Sequence, residues 1–149
     1  MIVDQSQRPT NALRIGEAAE QAGVSCRTLR YYEELGLLVP SQHSAGGARR
    51  YDEADLARLV RIRELQELLG FDLGEIGEIL RGEDQLADIR SHYRDATVDE
   101  RRAMLHSAVV INDRLRDLVK AKQDRLSGMM RQLEEKARRY RELNAELGG

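Results

Sequence analysis

The sequence is poor in cysteine and in aromatic residues. Its 149 residues include one cysteine, no tryptophan and one phenylalanine. A single thiol, Cys26, excludes an intramolecular disulfide and a metal site built from several cysteines of one chain. Because 34% of the residues are charged, the composition favours helices with long solvated faces over a large core.

Long hydrophobic runs are absent as well. No stretch reaches the roughly 18 apolar residues of a membrane-spanning helix, and the N-terminus lacks the basic-then-apolar pattern of a signal peptide. We therefore expect a cytoplasmic protein with no membrane partner. No nucleophile–base pair, glycine-rich phosphate loop or metal-ligand cluster stands out, so we expect no enzymatic activity, no cofactor and no metal.

Positive charge is not in excess, since the formal net charge is −2. Residues 10–52 carry five arginines and five acidic groups, residues 53–96 are acidic, and residues 97–149 are mildly basic. General basicity therefore cannot drive binding to nucleic acid. Any such binding depends on a few clustered arginines.

The most informative stretch is a short helix between Ser25 and Gly36. Ser25 is a good N-cap, and Gly36 supplies the left-handed residue that often ends a helix. Helical spacing predicts that Leu29, Tyr32 and Leu35 face inward. The outer face then carries groups suited to phosphates and base edges: Arg27, Thr28, Arg30 and Tyr31.

The neighbouring segments complete a predicted winged helix-turn-helix. A helix over 16–22 and a turn at Gly23 precede the central helix. After it we expect an apolar strand over 37–39 and then a wing whose flexible tip is 41–48 and whose return strand is basic, Arg49-Arg-Tyr51. A helix capped by Asp52 is predicted to end at Gly70, and a further short helix to end near Gly82.

A long helix is predicted at the C-terminal end of the sequence. Thr97-Val-Asp-Glu100 is a capping-box sequence, and no proline interrupts the pattern from there to Leu147. About 50 helical residues span roughly 75 Å. Steps of three and four define an apolar seam, which predicts a coiled-coil homodimer. The predicted dimerisation residues are Ile111, Leu115, Leu118, Val119, Leu126, Met129, Leu133 and Tyr140.

The order of these parts resembles the MerR family of bacterial transcription regulators. The resemblance rests on four blocks of sequence. Three of them are continuous motifs: 13–24 (LRIGEAAEQAGV), 28–37 (TLRYYEELGL) and 69–76 (LGFDLGEI). The fourth block, 49–56, contains the motif Arg49-Arg-Tyr51 and the pair Asp55-Leu56. It implies a mainly α fold, namely a winged helix-turn-helix followed by a dimerisation helix that forms an antiparallel coiled coil. The domain boundaries we predict are a flexible tail at 1–12, a DNA-binding domain at 13–81, a connector at 82–96 and the dimerisation helix at 97–147.

The resemblance also implies a function and assigns residues to it. Family members bind pseudo-palindromic promoters as dimers and commonly bend and underwind the spacer so that RNA polymerase can engage both promoter boxes. By position, Arg27 and Thr28 are the candidates for base edges. Arg30 and Tyr31 are candidates for phosphates, and the wing residues Arg49, Arg50 and Tyr51 for the DNA backbone or minor groove.

Other functions stay open at this stage. One alternative is an architectural DNA-bending protein without an effector; another is a small-molecule or redox sensor. An effector of unknown identity could bind in the connector and dimer region, near Leu86, Ile89, Tyr93 and Met104. Cys26 invites a redox hypothesis, and His92 with His106 a metal hypothesis, but ordinary packing and surface roles are favoured for all three.

Overall fold

The computed structural model describes residues 12–40, 42–43 and 47–148, and these residues are mainly helical. The predicted flexible tail, 1–12, lies outside the described residues apart from Ala12, as does the centre of the predicted wing tip, 44–46. The chain divides after Leu80 into two compact units. Among the described residues, no helix combines the length and the apolar character that crossing a membrane requires.

The first unit begins with the predicted helix-turn-helix. Helix α1 spans Ile15–Ala22 and helix α2 spans Cys26–Glu34. Gly23, with φ of 70°, ends α1 in the left-handed conformation that favours glycine. Ser25 caps α2 by accepting a hydrogen bond from the Thr28 N–H at 3.0 Å. Local capping chemistry therefore sets both ends of the turn.

A small antiparallel sheet follows as the wing. Strand β1, Gln42–His43, pairs with strand β2, Arg49–Arg50. The strand predicted over 37–39 is wrong, because residues 37–40 form no ladder. Leu37 and Leu38 instead bury their side chains, and the Leu37 carbonyl accepts a hydrogen bond from Arg58 Nε at 2.9 Å.

Helix α3 spans Glu53–Arg63 and continues into one π-helical turn, Glu64–Leu68, before Gly70. The Asp52 carboxylate accepts from the Asp55 N–H, and the Asp55 carboxylate accepts from the Asp52 N–H, which completes the predicted cap. The largest fully buried side chains of this unit come from its helices and from the edge of its wing: Leu29, Tyr51, Leu59, Ile62, Leu65, Ile76 and Leu80.

Helix α4 spans Leu73–Tyr93, so the predicted stop near Gly82 is wrong and most of the predicted connector is helical. Gly82 serves close packing instead. A Cβ at this position would lie 2.8 Å from Leu115 Cδ2 and 3.1 Å from Leu115 Cγ. Glycine thus lets α4 approach the following helix within the second unit.

Helix α5 spans Val98–Glu146, close to the predicted bounds. Thr97 and Glu100 form the predicted capping box, in which the Thr97 N–H donates to the Glu100 carboxylate at 2.7 Å. None of the 49 residues of α5 is buried in the single chain. The apolar stripe of α5 is therefore not fully covered within the single chain.

Candidate nucleic-acid interface

The outer face of α2 is a shallow groove of about 560 Å³. Arg27, Arg30 and Tyr31 line it and are exposed, whereas Leu29 and Tyr32 are buried, as predicted. Leu35 was expected to face inward but is 46% exposed. The reason is that α2 ends at Glu34, so Leu35 belongs to the turn that leads into Gly36.

Thr28 also lines this groove and is half-buried. The Ser25 hydroxyl donates to Thr28 Oγ1 at 2.9 Å, so Thr28 accepts a hydrogen bond from the residue that caps its own helix. The N-cap residue of α2 therefore contacts both the backbone and the side chain of Thr28.

A second depression, of about 470 Å³, joins the wing to both helices of the helix-turn-helix. It is lined by the guanidinium-bearing residues Arg14, Arg30, Arg49 and Arg50, together with Ile15 and Ala48. Four arginines around one concavity form a local positive cluster within residues 10–52, a segment whose net charge is zero. An anionic polymer such as DNA is the ligand that this charge pattern fits.

Arg14 is the member of this cluster that sequence reasoning missed. It is the N-cap residue of α1, and the preceding residue, Leu13, bridges to Tyr51 through two backbone hydrogen bonds of 2.7 and 2.9 Å. This bridge places the start of α1 beside the return strand of the wing. The alternation of Leu13 and Ile15 around Arg14 was the available signal, since it points Arg14 away from the core.

Tyr51 does not lie on the outer surface, so its predicted contact with DNA is wrong. Its side chain is fully buried, and its hydroxyl donates to Glu33 Oε1. The other carboxylate oxygen of Glu33 lies 2.6 Å from Arg49 Nη1. Glu33 therefore holds the wing against α2, because it contacts both Arg49 of β2 and Tyr51, the residue that follows β2. Tyr51 is thus a positioning residue.

This contact changes the interpretation of Arg49. Its side chain is 48% exposed, but the nearly buried carboxylate of Glu33 neutralises part of its charge. Arg50 is half-buried and Arg30 is exposed. Of the predicted phosphate-binding residues, Arg30 is thus the one whose charge is most available to a ligand.

Two buried tyrosines make the first unit sensitive to high pH. Burial raises the pKa of Tyr51, and its hydrogen bond to Glu33 raises it further. Burial also raises the pKa of Tyr32, whose hydroxyl donates to Gln66 Oε1 at 2.9 Å. In both cases the folded state favours the neutral phenol.

We expect the free energy of unfolding to fall as the pH rises above about 10, because Tyr32 and Tyr51 ionise there in the unfolded chain but stay neutral in the folded chain. Below that pH the contribution of both groups is fully present. Urea unfolding between pH 8 and pH 11 measures this slope. Tyr51→Phe should flatten it, whereas Tyr31→Phe, at an exposed position, should leave it unchanged; an equal slope in all three proteins would contradict the assignment.

Helix α3 and its π-helical turn hold the helix-turn-helix in place from behind. Arg63 Nη1 donates to the Ala22 carbonyl at 2.7 Å, and Arg63 Nη2 pairs with Glu67 at 2.9 Å. The carbonyl at the end of α1 is therefore satisfied by a side chain from a distant element. A Cβ at Gly23 would collide with the same guanidinium.

The second unit has a concave surface of its own, of about 650 Å³, between the end of α4 and the start of α5. Leu86, Ile89 and Tyr93 line it, as predicted, whereas Met104 does not. Leu105 takes that place, because one residue along a helix turns the side chain by about 100°. In the remainder of α5, the predicted dimerisation residues are exposed or half-buried.

The residues raised as sensor candidates have ordinary surroundings. Cys26 is a free, half-buried thiol at the first position of α2. His92 contacts the Asp88 carbonyl at 2.9 Å within its own helix. Within the described ranges no group of three or more His, Cys, Asp or Glu side chains could hold a metal ion.

Comparison with known proteins gives one family. Residues 13–83 match the model of the MerR HTH family regulatory proteins. The nodulation protein NolA of Bradyrhizobium elkanii is 43% identical over 106 residues, covering 70% of this chain and 46% of NolA. The HTH-type transcriptional activator TipA of Streptomyces coelicolor is 49% identical over 80 residues, covering 54% of this chain and 30% of TipA. The chain thus spans less than half the length of these relatives.

A solved structure gives the same fold. It is described as a MerR family transcriptional regulator from Listeria monocytogenes and superimposes with a TM-score of 0.55 at 24% sequence identity. The match covers 86% of this chain and 85% of that one. The likeness extends over both units, whereas the family model covers the first unit and the start of the second.

Proposed function

Because residues 13–83 form a DNA-binding domain of the MerR family, we propose that this chain is a transcriptional regulator that acts as a homodimer on a pseudo-palindromic promoter element. The observation that carries the proposal is the cluster of Arg14, Arg30, Arg49 and Arg50 around one depression beside the open face of α2. In this proposal the four arginines bind phosphates, while α2 presents Arg27 and Thr28 to the major groove of DNA.

The residues divide into two roles. Arg27 and the Thr28 hydroxyl are proposed to read base edges in the major groove, where guanidinium and hydroxyl groups find acceptors. Arg30, Tyr31 and Arg14 are proposed to grip phosphates and so fix the register of α2. Arg49 and Arg50 would follow the backbone beside the wing, with Arg49 held in place by Glu33.

The proposed dimer rests on α5. Leu126, Met129 and Leu133 are each at least half exposed in the single chain, and their spacing continues the stripe that begins at Ile111. A long unpaired apolar stripe is stabilised when a second copy covers it, and a coiled coil is the arrangement that this spacing fits. Two copies would then present two reading helices at a fixed separation.

The fixed separation of the two reading helices suggests how the protein would act on a promoter. If both copies hold phosphates on their half-sites, the dimer geometry sets the shape of the DNA between them, at a deformation cost of roughly 1–6 kcal/mol. We propose that the dimer bends and underwinds the spacer in this way, so that RNA polymerase can engage both promoter boxes. We propose that the protein carries out this role in the bacterial cytoplasm.

Arg30→Ala tests the phosphate role. We expect DNA affinity to fall about tenfold on all sequences, because a charge-assisted hydrogen bond is lost, and the slope of log affinity against log salt to decrease by about 1 per half-site. Fluorescence anisotropy on the operator and on a scrambled duplex, over a range of salt concentrations, measures both. Arg14→Gln should give the same salt signature.

Arg102→Ala serves as the control, because Arg102 is exposed and lines neither basic depression. It should match the parent protein on both duplexes. The operator itself comes from genome-wide footprinting, which should return a two-fold symmetric site. If Arg30→Ala bound every duplex as tightly as the parent, the phosphate assignment would be wrong.

A further inference from the structure

The pocket of the second unit is an open cleft, in which Leu105 and Val109 are 50% and 59% exposed, and its lining is of a kind that suits a small molecule. One wall is the end of α4 and the other is the first half of α5, and the side chains between them are mainly apolar. Its volume of about 650 Å³ lies within the usual range of ligand pockets, about 300–1,000 Å³. The apolar lining consists of Leu86, Ile89, Leu105, Ala108 and Val109.

The polar groups of the pocket indicate the charge of its ligand. Asp113 already pairs with Arg116 at 3.1 Å. The side chains of Arg90 and Asn112 have no hydrogen bond or ion pair with any residue that the structure describes. Within the described part of the chain, the cleft therefore offers a free guanidinium and a free amide beside an apolar surface.

The cleft is preformed by contacts at both of its ends. At one end, Gly82 allows Leu115 to pack directly on α4. At the other end, Arg101 donates to the Tyr93 carbonyl at 2.9 Å and to the Arg94 carbonyl at 2.6 Å, and its guanidinium lies 5.2 Å from the centroid of the Tyr93 ring. The turn between α4 and α5 is thus tied to α5.

We propose that this pocket binds a small apolar carboxylic acid. Its carboxylate would pair with Arg90 and accept a hydrogen bond from Asn112, and its aromatic or branched aliphatic body would lie between Ile89 and Val109. A guanidinium pairs with a carboxylate in a planar, two-point geometry, which fits an acid better than a neutral molecule. This inference depends on the proposed function in one respect, which is that the acid would be the effector of the regulator.

Binding is tested on the intact protein without DNA. The probe is 8-anilino-1-naphthalenesulfonate, an anionic aromatic dye whose fluorescence rises in apolar sites, and the competitors are 2-naphthoate and its neutral amide, 2-naphthamide. We expect naphthoate to displace the dye at least about tenfold more effectively than the amide, because it gains the charged pair with Arg90. Arg90→Gln should remove this preference, whereas Arg94→Gln should keep it.

Val109→Asp tests whether the dye binds in this pocket. It places a negative charge in the cleft and should abolish displaceable dye binding, whereas dye bound along the apolar stripe of α5 would remain. Equal competition by acid and amide, unchanged preference in Arg90→Gln, or dye binding that appears only in a monomeric variant would overturn the proposal. The last outcome would mean that the second copy fills the cleft.

The two proposals can fail separately. If the protein shows Arg90-dependent binding of naphthoate but protects no promoter site, the acid pocket is supported and the proposed function is wrong. If it protects a promoter site but shows no Arg90-dependent competition, the proposed function is supported and the acid pocket is wrong.

Discussion

Replacing both Leu126 and Leu133 with aspartate is expected to lower operator affinity by about 100- to 10,000-fold, the gain that linking two binding modules gives. Both side chains are at least half exposed on the apolar stripe of α5, so the change should leave the single chain folded. Four carboxylates placed in the apolar seam between two copies would oppose dimerisation. Each half-site would then be bound without the effective concentration that a linked partner supplies.

The oligomeric state is measured on the same variant. Light scattering should give twice the 17.0 kDa chain mass for the parent protein and one chain mass for the double variant. Ser127→Asp with Gln132→Asp makes the same change of charge at exposed positions off the stripe, and it should stay dimeric and bind normally. A parent protein that is monomeric at micromolar concentration would rule out the proposed dimer.

Gly82→Val is expected to lower the free energy of unfolding by about 2 kcal/mol, although valine is the better helix former. The reason is the 2.8 Å separation between a Cβ at this position and Leu115 Cδ2, which is too short for two carbon atoms. Urea unfolding at one protein concentration, followed by helical circular dichroism, measures the loss. A concentration held constant is necessary because dimerisation would contribute to stability.

Gly128→Val is the matched control. A Cβ at Gly128 of α5 meets nothing closer than Arg131 Nη2 at 3.9 Å, so this change should stabilise by roughly a few tenths of a kcal/mol. Adding Leu115→Ala to Gly82→Val should restore at least half of the lost stability, because the smaller alanine side chain no longer collides with the valine. If the two losses simply add, Leu115 is not what Gly82 accommodates.

The elements that local chemistry encodes could be predicted from the sequence. Ser25, Asp52 and Thr97 each cap a helix through a side chain three residues from its partner, and such contacts are visible in a short stretch of sequence. The same is true of Leu29 and Tyr32 on the inward side of α2. The family resemblance then assigned these helices to a winged helix-turn-helix, which the fold confirms.

Contacts between distant residues could not be predicted in this way. The sequence pattern predicts a helix stop at Gly82, because no residue near it in the sequence indicates that Leu115 packs against it. Tyr51 reads as a wing residue that reaches DNA because its partner, Glu33, lies 18 positions earlier. Arg14 is not predictable as a neighbour of the wing, because only the bridge between Leu13 and Tyr51 brings it there.

The pocket shows the limit of helical periodicity. Leu86, Ile89 and Tyr93 share a stripe on α4, so their common face was visible in the sequence. On α5 the stripe that packs against a neighbour and the stripe that lines the cleft are adjacent, and periodicity alone does not say which residue belongs to which. The sequence pattern therefore predicts Met104 at a place where Leu105 lines the cleft.

The contact of Glu33 with Arg49 and Tyr51 bears on how binding specificity can be exchanged between related regulators. Glu33 belongs to α2, whereas its two partners belong to the wing. A reading helix transplanted alone would leave the recipient with a mismatched carboxylate or an unpaired phenol at this junction. The transferable cassette is therefore 25–51, helix and wing together, and a natural exchange of operator preference would have to carry both halves of the contact.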